Sequence, residues 1–366
     1  MRRALSLARR GRGFTSPNPM VGAVLVRDGE MIASGWHHRV GLPHAEIKAL
    51  NQCRKRGISA RGATLFVTLE PCCTHGRTPP CTDSIIAAGI HRVIVGAIDP
   101  NPHHAGRGLA LLRKAGIHVT AGVMADESNR LNEAFNHWIV HHTPFVTAKA
   151  AMTLDGKIAT ADGDSHWITS VTARKHAMTL RAGADAILVG IGTVLADDPA
   201  LTIRQAARGG RERVTARRRI ILDGRARSPL DSRLLNDAFA DKTIVVVGLS
   251  APSRAVAALE KKVTVLRAPE RDGKINLRWL LSQLGRDGIT SLLVEGGGEV
   301  HSSFFETKAV HRIAFYYGPK VLGGRDARKA VAGDGVRDLK TACALTNPEW
   351  EWVGPDLFVT AKVRSD

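Results

Sequence analysis

The sequence predicts two successive α/β domains within its 366 residues. In the first half, short apolar runs alternate with helical stretches, and polar residues follow the ends of the runs. In the second half, near-continuous apolar runs recur between helical stretches, which is typical of a mostly parallel sheet covered on both faces. We place the boundary in the polar segment 141–144, which gives domains 1–142 and 143–366.

The first domain is predicted to begin with a short amphipathic helix, because basic residues lie at both ends of an apolar stretch within residues 1–10. Asp28-Gly29 separates two apolar runs, which is a hairpin signal. A helix is predicted to start at His44, and a second helix to start at Cys81 and end at Gly89. The predicted strands cover residues 21–26, 31–34, 63–69, 92–96 and 118–120, and a helical run covers 127–140.

The second domain repeats this alternation of strands and helices. Its predicted strands cover residues 145–149, 186–189, 219–222, 243–247, 263–266, 291–294 and 312–316. Glycine clusters follow two of them, but neither completes Gly-x-Gly-x-x-Gly, because Leu195 and His301 stand at the last positions. The cluster at 296–298 is predicted to cradle a phosphate at a helix start; a tight strand-to-helix turn is the alternative.

Composition limits the classes of partner and compartment. The formal net charge of +18 favours an anionic partner, but the basic stretches lack interleaved aromatic residues, and the chain has two tyrosines. Because single-stranded nucleic acid is bound by stacking on aromatic side chains, we expect no nucleic-acid partner. Five cysteines do not suggest a disulfide framework, which indicates a reducing, cytoplasmic compartment. No apolar stretch is long enough to span a membrane, so we expect no membrane association.

The segment 44–81 contains the parts of a catalytic zinc site. His44-Ala45-Glu46 is followed by Pro71-Cys72, a spacing that is the signature of zinc-dependent base deaminases. In such sites three protein ligands leave a fourth position for water, and the Glu moves protons without binding the metal. Spacing alone leaves the third ligand open between His75 and Cys81, and Cys73 competes with Cys72.

These motifs resemble a known family. Residues 44–46, 68–72 and 75–81, together with 17–24 and 99–102, strongly resemble the deaminase domain of the bifunctional riboflavin-biosynthesis deaminase/reductase family. The resemblance implies His44, Cys72 and Cys81 as the ligands of one Zn²⁺ ion and Glu46 as the proton shuttle. It also implies that the pyrimidine pocket is lined by Asn18, His37 and His75, although relatives often carry a histidine where this chain has Thr74.

The second half resembles the reductase of the same family at residues 149–158, 165–169, 195–204 and 293–297, so the resemblance covers nearly the whole chain. It implies a dihydrofolate-reductase-like fold and NADPH as cofactor. The implied nucleotide contacts are Ala151, Trp167, Thr193, Asp197, Gly296, Gly297 and Gly298. The implied contacts to the sugar-phosphate substrate are Ser165, Arg181, Leu201, Arg204 and Glu295. Lys149 and Asp155 are candidates for polarising the sugar carbonyl or relaying a proton.

The resemblance therefore implies a cytidine-deaminase-like α/β/α sandwich followed by a dihydrofolate-reductase-like α/β domain. The expected reactions are zinc-dependent deamination of 2,5-diamino-6-(5-phosphoribosylamino)pyrimidin-4(3H)-one, and NADPH reduction of the ribosyl group of 5-amino-6-(5-phosphoribosylamino)uracil to ribityl. A nucleic-acid base deaminase with a basic C-terminal arm and a non-catalytic nucleotide-binding protein are the alternatives. We expect the protein to bind the phosphoribosylated pyrimidine substrate. We also expect the chain to form a homo-oligomer.

Overall fold

The structure is a computed structural model that describes residues 1–75, 79–206 and 212–364. The chain divides into two compact units, Met1–Thr143 (unit 1) and Pro144–Asp366 (unit 2). Among the described residues, no helix combines the length and the apolar character that crossing a membrane would require.

Unit 1 alternates helices with the strands of one sheet. Its helices are α1 (Arg2–Ala8), α2 (Ala45–Lys55), α3 (Cys81–Ala87), α4 (Arg107–Lys114), α5 (Ala125–Leu131) and α6 (Glu133–His141). Its strands are β1 (Gly22–Arg27), β2 (Glu30–Trp36), β3 (Thr64–Leu69), β4 (Arg92–Ala97) and β5 (His118–Ala121). The strand order is β2-β1-β3-β4-β5, with β1 antiparallel to both neighbours and the β3-β4-β5 pairs parallel.

Alternate residues of β1 face opposite sides of this sheet. Ala23 and Leu25 belong to a core with residues of α2, α3 and α4, whereas Val24 packs with α1 in a separate cluster. The result is the predicted three-layer α/β/α sandwich. The predicted helix starts at His44 and Cys81 are confirmed, since α2 begins directly after His44 and α3 begins at Cys81.

The predicted helical run 127–140 is two helices rather than one. Asn132 interrupts the run with φ −111° and ψ 21°. Its side chain instead bonds the backbone of Met20, accepting from the Met20 N–H at 2.8 Å and donating to the Met20 carbonyl at 2.9 Å. An asparagine that bonds another segment's backbone competes with helix formation, which explains the break.

Unit 2 contains one large sheet and several short strand pairs. Its helices are α7 (Val171–Gly183), α8 (Ile191–Asp197), α9 (Arg233–Asn236), α10 (Ser253–Glu260), α11 (Leu277–Arg286) and α12 (Gly298–Glu306). Its strands are β6 (Phe145–Thr153), β7 (Lys157–Ala159), β8 (Ala186–Gly190), β9 (Thr202–Ala206), β10 (Glu212–Ala216), β11 (Arg218–Leu222), β12 (Thr243–Gly248), β13 (Thr264–Ala268), β14 (Glu270–Arg271), β15 (Lys274–Ile275), β16 (Ser291–Val294), β17 (Arg312–Gly318), β18 (Arg328–Lys329), β19 (Leu345–Val353) and β20 (Asp356–Val363).

The large sheet has the order β13-β12-β11-β8-β16-β6-β17-β20-β19 in the described part of the chain. Its pairs are parallel from β13 to β17, and β20 and β19 are added antiparallel. Leu188 and Ile187 on β8 lie in different core clusters, so both faces of the sheet are covered. The seven strands predicted for this half and their mostly parallel arrangement are confirmed.

The sequence prediction gave no bounds for α7 and missed the β19-β20 pair. Helix α7 buries Ala173 alone and carries polar residues around much of its surface, so its apolar periodicity is weak. Strand β19 is exposed along nearly its whole length and contains Pro348. Neither α7 nor β19 has the apolar pattern from which helices and strands are predicted.

Candidate active sites

Three potential metal ligands converge at helix starts in unit 1. His44 directly precedes α2, Cys72 follows β3, and Cys81 is the first residue of α3. The ligand atoms of these side chains all lie within 4.8 Å of one another. Nδ1 of His44 lies 3.6 Å from Sγ of Cys72 and 3.3 Å from Sγ of Cys81. The cluster contains neither Cys73 nor His75, the alternatives that spacing left open.

The two cysteines of this cluster differ in how readily they ionise. A hydrogen bond with the Cys81 thiol, opposed by burial and assisted by His44, lowers the pKa of Cys72 to about 4. The Cys81 backbone N–H also donates to Sγ of Cys72 at 3.3 Å. The neighbouring Cys72 sulfur, and then burial, raise the pKa of Cys81. Two sulfurs and one imidazole nitrogen are a donor set that catalytic zinc sites use, so the residues present fit zinc.

Glu46 lies in the first turn of α2 beside this cluster and is 3% exposed. Burial, and then the negative charge of Cys72, raise the pKa of Glu46 to about 7. Its Oε2 has no hydrogen-bond partner within the part of the chain that the structure describes. A carboxyl group with a pKa near neutrality can both take and return a proton, and the unpartnered oxygen leaves room for a reacting group.

Asn18 and His37 adjoin the same cluster. Nδ2 of Asn18 lies 3.1 Å from Nε2 of His37, and the His37 ring packs edge-on to the His44 ring with centroids 5.2 Å apart. His37 is buried, and burial followed by the charge of His44 lowers its pKa. The predicted pocket residue His75 is exposed and makes no hydrogen bond to the cluster among residues 1–75, 79–206 and 212–364.

A buried carboxylate, which sequence reasoning did not single out, holds the turn that leads into Cys72. Glu70 accepts hydrogen bonds from the backbone N–H groups of Gly106 and Gly108 at 2.9 Å and of Asp99 at 3.2 Å. These bonds tie the strand end before Cys72 to the loop that precedes α4. The available signal was the position of Glu70 between a buried strand and Pro71-Cys72.

A cleft with a volume of about 1080 Å³ opens in unit 2. It is lined by most of the residues predicted for the reductase site: Ala151, Ser165, Trp167, Arg181, Thr193, Asp197, Leu201, Arg204 and Glu295. These residues come from β6, α7, α8 and β9, from the segments that flank them and, for Glu295, from the end of β16. The fold thus collects in one cavity side chains that are separated by more than a hundred positions in sequence.

The glycine cluster does not line this cleft, although it lies beside it. A Cβ atom on Gly297 would lie 3.8 Å from Oγ1 of Thr193, which does line the cleft. Gly296 has φ +105°, and a Cβ on Gly298 would meet the Lys329 carbonyl at 2.2 Å. Gly296 and Gly298 are therefore required by the tight turn between β16 and α12, whereas Gly297 has room for a side chain.

Glu295 is the centre of an ion-pair cluster in the cleft. Its carboxylate accepts two hydrogen bonds from Arg181, at 2.6 and 2.8 Å, and Nζ of Lys149 lies 3.6 Å away. Burial opposes ionisation, but Arg181 and then Lys149 overcome it and lower the pKa of Glu295 to about 2. Arg181 also donates to the Thr202 carbonyl at 2.8 Å. Arg181 is thus largely engaged, whereas Arg204 is exposed at the cleft.

Trp167 and Asp155 have different surroundings. The Arg174 guanidinium lies 4.1 Å from the centroid of the Trp167 ring, and both residues line the cleft. Sequence reasoning missed Arg174 because the chain has 52 lysines and arginines and nothing local distinguishes it.

Asp155, another candidate from the sequence, accepts hydrogen bonds from the N–H groups of Leu322 and Gly323 at 3.0 and 2.7 Å. These bonds hold the loop that contains Leu322 and Gly323.

Comparisons with known proteins agree with both sites. Residues 1–97 match the cytidine and deoxycytidylate deaminase zinc-binding region, and residues 144–359 match the RibD C-terminal domain. The chain belongs to the RibD family. Riboflavin biosynthesis protein RibD of Actinobacillus pleuropneumoniae is 41% identical over 365 residues, covering 100% of this chain and 95% of that protein.

Two solved structures extend the agreement to three dimensions. Acinetobacter baumannii RibD has a TM-score of 0.85 at 32% identity and covers 100% of this chain and 98% of its own. A diaminohydroxyphosphoribosylaminopyrimidine deaminase/5-amino-6-(5-phosphoribosylamino)uracil reductase from Thermotoga maritima has a TM-score of 0.84 at 37% identity, with coverages of 100% and 97%. The predicted fold class is confirmed, as is the prediction of a bifunctional enzyme of riboflavin biosynthesis with a zinc-binding deaminase and a reductase.

Proposed function

We propose that unit 1 deaminates 2,5-diamino-6-(5-phosphoribosylamino)pyrimidin-4(3H)-one and that unit 2 reduces the ribosyl group of the product, 5-amino-6-(5-phosphoribosylamino)uracil, to ribityl with NADPH. The observation that carries the proposal is the convergence of His44, Cys72 and Cys81 beside the buried carboxyl group of Glu46. The name of the Thermotoga maritima relative, which matches the whole of this chain, supports these two substrates.

One Zn²⁺ ion in unit 1 would be held by His44, Cys72 and Cys81. When bound, zinc supplies Lewis acidity and lowers the pKa of water toward neutrality. Glu46 takes a proton from the attacking water and delivers one to the departing amino group. A carbon–oxygen bond therefore forms as the carbon–nitrogen bond breaks, and ammonia leaves. We propose that the side-chain amide of Asn18 and the imidazole of His37 bind the pyrimidine. We propose that His75 lies near the pyrimidine.

In unit 2 the cleft would hold both the nucleotide and the sugar phosphate, and its volume of about 1080 Å³ is sufficient for two such ligands. Bound NADPH supplies the hydride for the reduction. We assign the nucleotide to Ala151, Trp167, Thr193, Asp197 and the turn formed by Gly296, Gly297 and Gly298. We assign the sugar-phosphate substrate to Ser165, Arg181, Leu201, Arg204 and Glu295.

Arg204 is the residue we assign to the substrate phosphate, because a guanidinium binds two phosphate oxygens at once and Arg204 is exposed at the cleft. Arg204→Ala is expected to raise the reductase KM for the phosphorylated substrate by roughly 10-fold or more, which corresponds to loss of a charged hydrogen bond. Steady-state NADPH oxidation measures it. The exposed Arg278 on α11, outside the cleft lining, provides the control variant Arg278→Ala. An unchanged KM in Arg204→Ala would remove Arg204 from the site.

We also propose a homo-oligomer that associates through β19. This strand ends the order of the large sheet, and Trp350 and Trp352, on the same face, are 69% and 74% exposed. Large exposed aromatic side chains on an edge strand are typical of an interface. The double variant Trp350→Glu/Trp352→Glu is expected to have the mass of one chain by light scattering. Phe14→Glu, at another exposed aromatic residue, should leave the wild-type mass unchanged. A monomeric wild type would refute this assignment.

All five cysteines are thiols in the structure. Because thiols persist in reducing compartments, we propose that the protein acts in the cytoplasm. Fractionation of source cells tests this, and recovery of the protein outside the cytosolic fraction would contradict it.

The test of the whole proposal supplies purified zinc-loaded protein with the diaminopyrimidinone substrate and NADPH, and follows ammonia release and NADPH absorbance together. We expect ammonia to appear before NADPH is consumed. Removal of zinc by a chelator should abolish ammonia release, while the uracil product added directly should still be reduced. Salt-sensitive RNA binding without turnover would instead favour a nucleic-acid base deaminase. Absence of turnover and of bound zinc would favour a non-catalytic nucleotide-binding protein.

A further inference from the structure

His104 connects two segments of unit 1 near the proposed zinc ligands. Its Nδ1 lies 2.8 Å from Oδ2 of Asp99, and its Nε2 lies 2.9 Å from Oγ1 of Thr74. The side chains of His104 and Asp99 are 14% and 7% exposed. The imidazole therefore has a hydrogen-bond partner at each nitrogen, on two different segments of the chain.

The loop that carries His104 is fixed independently of this imidazole. Glu70 accepts from the backbone N–H groups of Asp99 and Gly106, at 3.2 and 2.9 Å, on either side of His104. Oδ1 of Asp99 also accepts from the Asn101 N–H at 2.9 Å. These bonds hold the loop without the imidazole. The bond between His104 and Thr74 therefore serves to hold the segment that carries Thr74.

Thr74 is two residues after Cys72 and directly precedes His75, in the segment that joins Cys72 to Cys81. Nδ1 of His104 donates to the Asp99 carboxylate, which directs Nε2 toward the Thr74 hydroxyl. His104 does not belong to the cluster of metal-ligand atoms. Its geometry is thus that of a residue that positions the chain beside a metal ligand, with Asp99 fixing the ring orientation.

We propose that His104, oriented by Asp99, is a positioning residue of the deaminase site that holds Thr74 and, through it, the next residue, His75, which we assign to the surroundings of the pyrimidine. This inference rests on the proposed function of unit 1. If the segment is held less firmly, substrate binding weakens, whereas the metal ligands and Glu46 keep their places. The expected effect is therefore on the deaminase KM rather than on kcat.

The test compares His104→Ala with Thr74→Val, which removes the hydroxyl at nearly constant shape. In zinc-loaded protein, each variant is expected to raise the deaminase KM about 5- to 10-fold, as loss of one hydrogen bond predicts, with kcat within about 2-fold. Because both remove the same bond, the double variant should be no worse than the more affected single variant. His104→Gln, which keeps a polar group at the end of the side chain, should restore part of the loss.

His103→Ala is the matched control, since His103 is the exposed neighbour of His104. It should leave the deaminase KM unchanged. Zinc content and reductase activity of each sample report whether a variant has simply lost its fold. An unchanged KM in His104→Ala and Thr74→Val, or strictly additive effects in the double variant, would overturn the inference. Loss of zinc together with kcat would also overturn it, because His104 would then be a merely structural residue.

Failure of the proposed function is distinguishable from failure of this inference. A wild-type protein that releases no ammonia from the pyrimidine substrate refutes both. A wild-type protein that releases ammonia, with variants that keep its KM, refutes the role of His104 alone.

Discussion

Glu46→Gln is expected to lower deaminase turnover by about 10³-fold, the range typical for removing a general acid/base, while zinc and reductase activity are retained. Glutamine has nearly the same shape but cannot take or deliver a proton. Glu46 is 3% exposed, and burial followed by the charge of Cys72 raises its pKa to about 7, so the wild-type side chain suits both proton transfers. Ammonia release under saturating substrate measures the effect.

Zinc should remain in this variant because the cluster of ligand atoms consists of His44, Cys72 and Cys81 without Glu46. Metal content of the purified variant, and NADPH oxidation with the uracil substrate, check that the fold and the second activity survive. Glu30→Gln, at an exposed glutamate on β2, is the control and should turn over at the wild-type rate. Retained deamination in Glu46→Gln would show that another group carries the proton.

Much of the zinc site could be predicted from the sequence, because its parts depend on local structure. His44 and Cys81 stand at helix starts, and Cys72 follows a buried strand, all of which leave local signals. The choice between Cys81 and His75 depends on the path of the segment after Cys72, which spacing does not determine. In the structure, Sγ of Cys81 lies 3.3 Å from Nδ1 of His44, so Cys81 and not His75 belongs to the cluster.

The contacts that hold the sites could not be predicted from local patterns. The hydrogen bond from Arg181 to Glu295 spans 114 positions, and the bond between Thr74 and His104 spans 30. Each depends on which strands become neighbours in a sheet or on how a loop folds back. In a chain with 52 lysines and arginines, one engaged arginine is not distinguishable by composition from an exposed one. The strand pattern, by contrast, was predictable because burial on both faces imposes apolar runs.

Glu295→Gln is expected to have the largest effect on unit 2. It removes the carboxylate that accepts two hydrogen bonds from Arg181 and lies 3.6 Å from Lys149, leaving both cations without their acidic partner. Removing one member of a buried ion pair typically costs about 3–5 kcal/mol of folding free energy. Because Arg181 and Lys149 line the cleft, we also expect reductase kcat/KM to fall by roughly 100-fold or more, equivalent to about 3 kcal/mol.

Thermal unfolding and NADPH oxidation measure these two losses, and ammonia release should remain, since the zinc-ligand cluster lies in unit 1. Glu299→Gln, at an exposed glutamate in the first turn of α12, is the matched control and should change neither quantity. Glu295→Asp keeps the charge and should recover part of the stability. Wild-type reductase kinetics in Glu295→Gln would show that the cluster has no part in the reaction.

The pH dependence separates the charge of Glu295 from its packing. Burial opposes ionisation of Glu295, but Arg181 and Lys149 lower its pKa from 4.5 to about 2, so ionised Glu295 stabilises the folded state. A lowered folded-state pKa contributes stability that is fully present above pH 4.5 and is lost as the pH falls toward 2. The difference in unfolding free energy between wild type and Glu295→Gln should therefore be largest near neutrality and shrink across this window. A difference that does not change with pH would mean that the substitution acts through packing, because only the ion pair depends on the protonation of this carboxylate.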